Sequence, residues 1–347
     1  MLMSTDRLRI QRKPFNMLTT AERDGWARLL NESATSRWAF LSPTYAEAVS
    51  VTVGSVDVLL CWNDDELVGV MPLQRAAGWL GRLGLREPVG RHMTDYFGLL
   101  ARSGVRVDWH SLLKDAGIPC LYFTHLDESQ AAHGLTGDSP KKGLRSYIHP
   151  DGGEAHWEVL RSQDKKLIND IERRQRKLTT EHGVLEFQVH SATPAQDLAS
   201  LVDLKNAQYR RTGQDGGALL TSENVRLLNQ LMASSDPDCL PRLSVLRCDG
   251  QLIAAHFGLQ CGSVLHYWFP AYDSRFANYS PGRILYRCML LNAPFNGIAC
   301  IDHGEGDSAY KRDFTNNEHQ YFKGLISSNP WGQALMLIQR LRWRFAA

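Results

Sequence analysis

No C-x-x-C pair and no apolar run near the ~18 residues of a membrane span occur in these 347 residues. The first absence speaks against a zinc ribbon or a thioredoxin-like redox motif, the second against a helical membrane anchor. One-sided charge is missing too. Against 39 Lys and Arg stand 37 Asp and Glu, a net charge of +2, too little to argue for DNA as a bulk partner. Also missing are G-x-x-x-x-G-K-[ST], H-E-x-x-H and G-x-S-x-G, and Gly78, Gly81 and Gly84 are spaced wrongly for a dinucleotide fingerprint. Seven cysteines is an odd number, and several lie in apolar, strand-like runs, which reads as reduced core thiols. The opening MLMSTDRLRIQRK is charged and has no apolar centre. The expectation is a chain without a secretory signal, in the cytoplasm.

What is present is a repeated α/β pattern. TTAERDGWARLLNESA reads as a helix with Thr20 as its N-cap. VDVLLCWNDDELVGVMPLQ reads as a hairpin turning at Asn63-Asp64-Asp65, and DYFGLL and PCLYFTHL as strands. Residues 127–153 are rich in Gly, Ser, Asp and Pro, which sets a domain boundary between 1–150 and 151–347. The second half repeats the order. Helices cover PAQDLASLVDLKNAQYRRTG and TSENVRLLNQLMAS, and a hairpin turns at Asp249-Gly250. SVLHYWFPAYD is then a strand, PGRILYRCMLLNA a helix, IACID a strand, and DSAYKRDF a short helix. VLLCWNDDELVGVMPLQ also aligns with VLRCDGQLIAAHFGLQ after a one-residue gap, so a duplicated unit is expected.

Three stretches concentrate chemistry. In IDHGEGDSAYK, Asp302 and Glu305 flank a strand end, where a carboxylate can take a proton from an amine. His303 alternates with Asp302 and so faces the other way. Asp307 suits an N-cap, and Tyr310 and Lys311 follow on the short helix. The bland reading is a capped, solvated strand-to-helix corner. His303-Gly304-Glu305 has the H-x-E form of a zinc deaminase, but no P-C-x-x-C follows, so no metal is expected. In NYSPGRIL, Ser280, Pro281, Gly282 and Arg283 open a helix whose N-terminal amides could face phosphates, or form an ordinary helix start. In HYWFPAYD, Tyr267 and Trp268 could stack on a sugar or simply pack the core.

GQLIAAHFGL, AYDSRFANYSPGRILY and DHGEGDSAYKRDF, in this order, resemble the GNAT acyltransferase superfamily. The resemblance is to its tandem-domain branch, which holds the CelD-like (BioF2-like) acetyltransferases and the Fem aminoacyl transferases. It implies an α/β fold of mixed sheets, with two GNAT-like domains in tandem and the donor site in the second. It further implies acyl-CoA as co-substrate, with no tightly bound cofactor, and Ser280–Arg283 in place of the pyrophosphate loop. That loop here has one glycine, fewer than the family's form. Tyr310 falls where many members keep a tyrosine that protonates the departing thiolate. The implied acceptor is an amine, on an amino sugar or another polysaccharide or cell-envelope precursor, with Asp95 and Tyr96 as contacts from the first domain.

Two rivals remain. One is a Fem-like transfer from charged tRNA: the basic helix DKKLINDIERRQRKL reads as a solvated face, or as a face for the phosphate of CoA, of a nucleotide-sugar or of a tRNA stem. A non-catalytic GNAT-like pair would serve as a binding module. The amphipathic C-terminal WGQALMLIQRLRWRF suits docking on its own domain, or peripheral contact with a membrane surface.

Overall fold

The computed structural model describes residues 8–33, 37–213 and 217–346. The chain divides into two compact units, Met1–Gly143 with His319–Ala347, and Leu144–Glu318. The first opens with β1 (Leu8–Pro14), α1 (Thr20–Glu32), α2 (Pro43–Thr52) and the hairpin β2 (Val56–Asn63) and β3 (Glu66–Arg75). It continues with α3 (Trp79–Arg82), β4 (Leu85–Pro88), β5 (Leu100–Ala101), α4 (Trp109–Asp115) and β6 (Cys120–Asp127). Helix α1 is capped one residue earlier than the sequence suggests. Thr19 and Glu22 form a reciprocal capping box, which satisfies two orphan amides.

A strand over DYFGLL is not what forms. Among the described residues, Phe97 makes an isolated bridge, to Leu126, before the two-residue β5. The reason lies in Gln130, a fully buried amide that accepts from Leu99 N–H at 2.7 Å and donates to Leu99 C=O at 3.3 Å. One side chain thus satisfies the backbone groups that a neighbouring strand would otherwise pair.

The second unit starts in β7 (Asp138–Tyr147), a strand that the turn-rich composition hides. It continues through α5 (Gly153–Gln163), α6 (Lys165–His182), β8 (Leu185–Gln188), α7 (Pro194–Arg211) and α8 (Ser222–Met232). Then come β9 (Leu240–Cys248), β10 (Gln251–Cys261), β11 (Val264–Tyr272), α9 (Pro281–Asn292), β12 (Cys300–Glu305) and α10 (Ala309–Arg312). The sheet order is β7-β12-β11-β10-β9-β8. The β9–β10 turn is a two-residue one with Asp249 and Gly250 both at positive φ, 48° and 77°, the geometry that matches strand twist. Central β10 is buried almost throughout. Helix α9 lays Ile284, Leu285, Tyr286, Met289 and Leu290 into the core against Ile168, Ile171 and Ile301.

The chain returns to the first unit with β13 (Asn317–Ser327) and α11 (Pro330–Ala346). There the sheet order is β1-β2-β3-β4-β6-β13. The compact units therefore differ from a division at 150/151, because the C-terminal helix packs with the first half. Trp331 donates to Leu83 C=O at 3.0 Å, Ser328 to Ile118 C=O at 2.7 Å, and Leu335 is fully buried beside Leu80, Leu85 and Cys120. Side chains beyond Leu341 lie outside the described residues. From β1 in the first unit and from β8 in the second, apart from the short α3 and β5, the order is strand, two helices, hairpin, strand, helix, strand. In each the strand after the crossover helix is parallel to the one before it, β4 with β6 and β11 with β12.

Candidate active site

Strands β11 and β12 pair over Val264–His266 against Cys300–Asp302, yet β11 runs on to Tyr272 and β12 to Glu305. Beyond His266 and Asp302 no register pair joins them among the described residues. On its other side β11 carries a bulge. Phe257 opposes Phe269 and Leu259 opposes His266, so Tyr267 and Trp268 together face Gly258. A bulge bends the strand and re-aims its side chains. Position 258 needs glycine, because a Cβ there would lie within 2.6 Å of the His256 ring.

The re-aimed side chain is Tyr267. Its hydroxyl stands 3.0 Å from that of Tyr310 on α10, while its ring stacks on His256 at 4.3 Å and meets Tyr286 edge-on at 5.4 Å. Burial pushes the Tyr310 phenol up to about 12, and it also holds Tyr267 well above the ordinary tyrosine value. Both remain neutral proton donors at physiological pH. Behind them the Tyr286 hydroxyl contacts His303 Nε2 at 3.0 Å and Ser146 at 2.8 Å. Burial, with Lys311 nearby, lowers His303 to about 3.

The carboxylates differ in situation. Asp302 is 1% exposed, accepts from Arg145 Nε at 2.8 Å and from the Gly304 amide at 2.8 Å, and lies 3.9 Å from His266 Nδ1. It is held as an ion pair inside the unit. Glu305 ends β12 half-buried, with its backbone carbonyl bonded to Lys311. The Lys311 ammonium also bonds His303 C=O at 2.7 Å, so it clasps the end of the strand. Asp307 does not cap α10. The cap is Ser308, with no side-chain bond, and Asp307 is exposed 3.8 Å from Arg312.

At the α9 N-terminus, Ser280 adopts the left-handed conformation (φ 55°) and Pro281 is buried at the first helical position. Two amides, of Arg283 and Ile284, bond the Ser280 carbonyl at 3.0 and 3.2 Å. A Cβ on Gly282 would meet only Tyr272, at 3.6 Å, so there is room for a ligand. Arg283 is paired with Asp313. As a phosphate cradle this is a sparse one.

The remaining sequence candidates lie in packed surroundings. Tyr96 is 1% exposed, stacked on Trp38 at 4.2 Å and edge-on to Tyr321 at 5.2 Å. Asp95, half-buried, lies 4.0 Å from His125. Both belong to the first unit. Trp268 packs on Phe257 and Phe269. The basic residues of α6 are largely answered from within: Arg173 and Arg174 pair with Asp170, and Lys177 lies 3.7 Å from Glu181.

Three residues at this end of the second unit are absent from the sequence candidates: Lys205 at Pro270, His256 against Tyr267, and Arg145 at Asp302. Two had a signal. Lys205 falls on the buried stripe Leu198, Leu201, Val202, Tyr209 of α7, and His256 sits in the otherwise apolar run of β10. A polar group in such a place is the informative exception.

Residues 165–312 match an acetyltransferase (GNAT) domain. A comparison with curated proteins found no match. Among solved structures, FemX is similar with a TM-score of 0.60 at 12% identity, over 94% of this chain and all of that one. A conserved protein of unknown function from Bacteroides thetaiotaomicron gives 0.53 at 12% identity, over 92% of this chain and all of that one. At such identity the likeness is one of fold. The match falls within the second unit, which has the fold of these neighbours, and the open end of the β11–β12 pair lies inside it as the candidate centre.

Proposed function

We propose that the protein is an N-acyltransferase that moves an acyl group from acyl-CoA to an amine. The observation that carries this reading is the Tyr267–Tyr310 hydroxyl pair at the open end of the β11–β12 cleft. The acceptor nitrogen attacks the thioester carbonyl, a C–N bond forms and the C–S bond breaks. Tyr310, kept protonated by burial, gives its proton to the departing thiolate. The ammonium proton leaves by way of Glu305, directly or through water, since Asp302 is engaged with Arg145. Donor phosphates would lie at the α9 N-terminus beside Gly282. The acceptor class, an amino sugar or another cell-envelope precursor, rests on the family resemblance.

The test is release of free thiol from acetyl-CoA with and without a panel of amines, amino sugars included. Amine-dependent release is expected. The absence of both CoA binding and release would end the reading. The sparse cradle around Gly282 favours one rival, aminoacyl transfer from charged tRNA, which co-purifying tRNA with no CoA affinity would establish instead.

A further inference from the structure

Lys205 is a buried cation whose partners are all neutral. Its residue is 9% exposed. The ammonium donates to Pro270 C=O at 2.9 Å, contacts Gln208 Oε1 at 3.5 Å, and lies 5.3 Å from the centre of the Tyr209 ring. Among the described residues no carboxylate pairs with it. Buried charges are ordinarily answered by an opposite charge, because the desolvation cost is otherwise uncompensated. Three half-buried cations of this unit follow that rule, Arg145 with Asp302, Arg247 with Asp197 and Arg283 with Asp313, whereas half-buried Arg242 bonds the neutral Gln260 at 2.7 Å. Lys205 departs from the rule too.

The departure occurs at an informative place. Pro270 lies on β11 past the last pair with β12, and opposite His256 on β10. Lys311, one residue from Tyr310, is close enough to repel the Lys205 charge, and together with burial it brings Lys205 down to about 8. Two ammonium groups from different helices thus act on each other at the end of β11 and β12 beyond their last pair.

We propose that this end of the cleft receives a carboxylate of the substrate, held by Lys205. The proposal rests on the acyl-transfer reading above. A thioester and the chain leading to it carry no charge near the reacting carbon, and the phosphates of the donor belong at the α9 N-terminus. An anion at Lys205, beside the unpaired part of β11, therefore comes from the acceptor, or from an acyl group that carries its own carboxylate.

Calorimetric titration with matched probes tests this and separates the two sources. N-acetylglycine against N-acetylglycinamide reports the acceptor side, and succinyl-CoA against butyryl-CoA the acyl side. Each pair differs mainly in one carboxylate. In the wild type, the carboxylate member of one pair is expected to bind at least ~10-fold more tightly, the size of one charge-assisted contact. Lys205→Met, unbranched and a good helix former like lysine, should abolish that preference, and Lys205→Arg should retain part of it. Equal binding within both pairs overturns the site. So does a preference that survives Lys205→Met, or a Lys205→Met variant that loses affinity for CoA itself. A Lys205→Met variant that keeps the preference but shifts the pH profile of turnover would make Lys205 a base and likewise overturn it. If no CoA ester binds while the N-acetylglycine preference holds, the carboxylate site stands and the choice of donor falls.

Discussion

The Tyr267 hydroxyl lies 3.0 Å from the Tyr310 hydroxyl, and the bulge opposite Gly258 is what turns Tyr267 towards it. One phenol therefore orients the other. Tyr310→Phe removes the proposed acid and little volume, so turnover should fall roughly 10²-fold with donor affinity unchanged. Tyr267→Phe, which removes only the orienting bond, should cost less. Steady-state kinetics with acyl donors of graded thiol acidity checks the role. The Tyr310→Phe deficit should shrink as the leaving thiol becomes more acidic, and a constant deficit would rule out proton donation.

The two carboxylates of β12 should separate cleanly. Glu305→Gln is expected to lower turnover roughly 10²-fold, with recovery at higher pH as more of the acceptor amine is neutral beforehand. Asp302→Asn removes the buried carboxylate of a pair whose Arg145 side is half-buried, and breaking such a pair costs up to about 3–5 kcal/mol. Its signature is a lower denaturation midpoint. Urea unfolding of both variants, read beside their pH–rate profiles, distinguishes a chemical residue from a structural one.

Much of this was visible in the residues themselves. The hairpins at Asp64 and Asp249-Gly250, the Pro281 helix start and the strand-to-helix corner at 302–311 all follow from local chemistry. What stayed hidden depends on partners far away in the chain. Gln130 replaces a strand at Leu99 from 31 residues away. Arg145 comes to Asp302 across 157 residues, from a strand whose Gly, Ser and Pro content reads as linker. The bulge that points Tyr267 at Tyr310 has no periodic signature, because it breaks the alternation from which strand faces are read.

Gly282→Asp should move fold stability and donor affinity in opposite directions. A carboxylate in the first turn of α9 interacts favourably with the helix dipole, about 0.3–1 kcal/mol, and its Cβ meets only Tyr272 at 3.6 Å. The same charge repels donor phosphates. The thermal midpoint should hold or rise while CoA affinity, measured by calorimetry, falls at least ~10-fold. Unchanged CoA affinity would move the phosphate site away from this helix.

His256 makes a prediction about acid. It is fully buried, both ring nitrogens lack a partner among the described residues, and burial holds its basicity well below that of a free histidine. As pH falls through about 6.5, the ordinary histidine value, the unfolded chain takes up a proton at this position and the folded chain does not. The unfolded state is thereby favoured, so stability declines as pH drops. His303, lowered to about 3, adds to the same slope between about 6.5 and 3. His256→Phe keeps a flat ring against Tyr267 and removes two unsatisfied polar atoms, each of which costs about 1–3 kcal/mol when buried. The variant should therefore be at least as stable as the wild type at pH 7.5 and lose less on going to pH 5. Urea midpoints at the two pH values measure both effects. Parallel losses in wild type and variant would mean that His256 is protonated inside the fold, with a partner that has yet to be found.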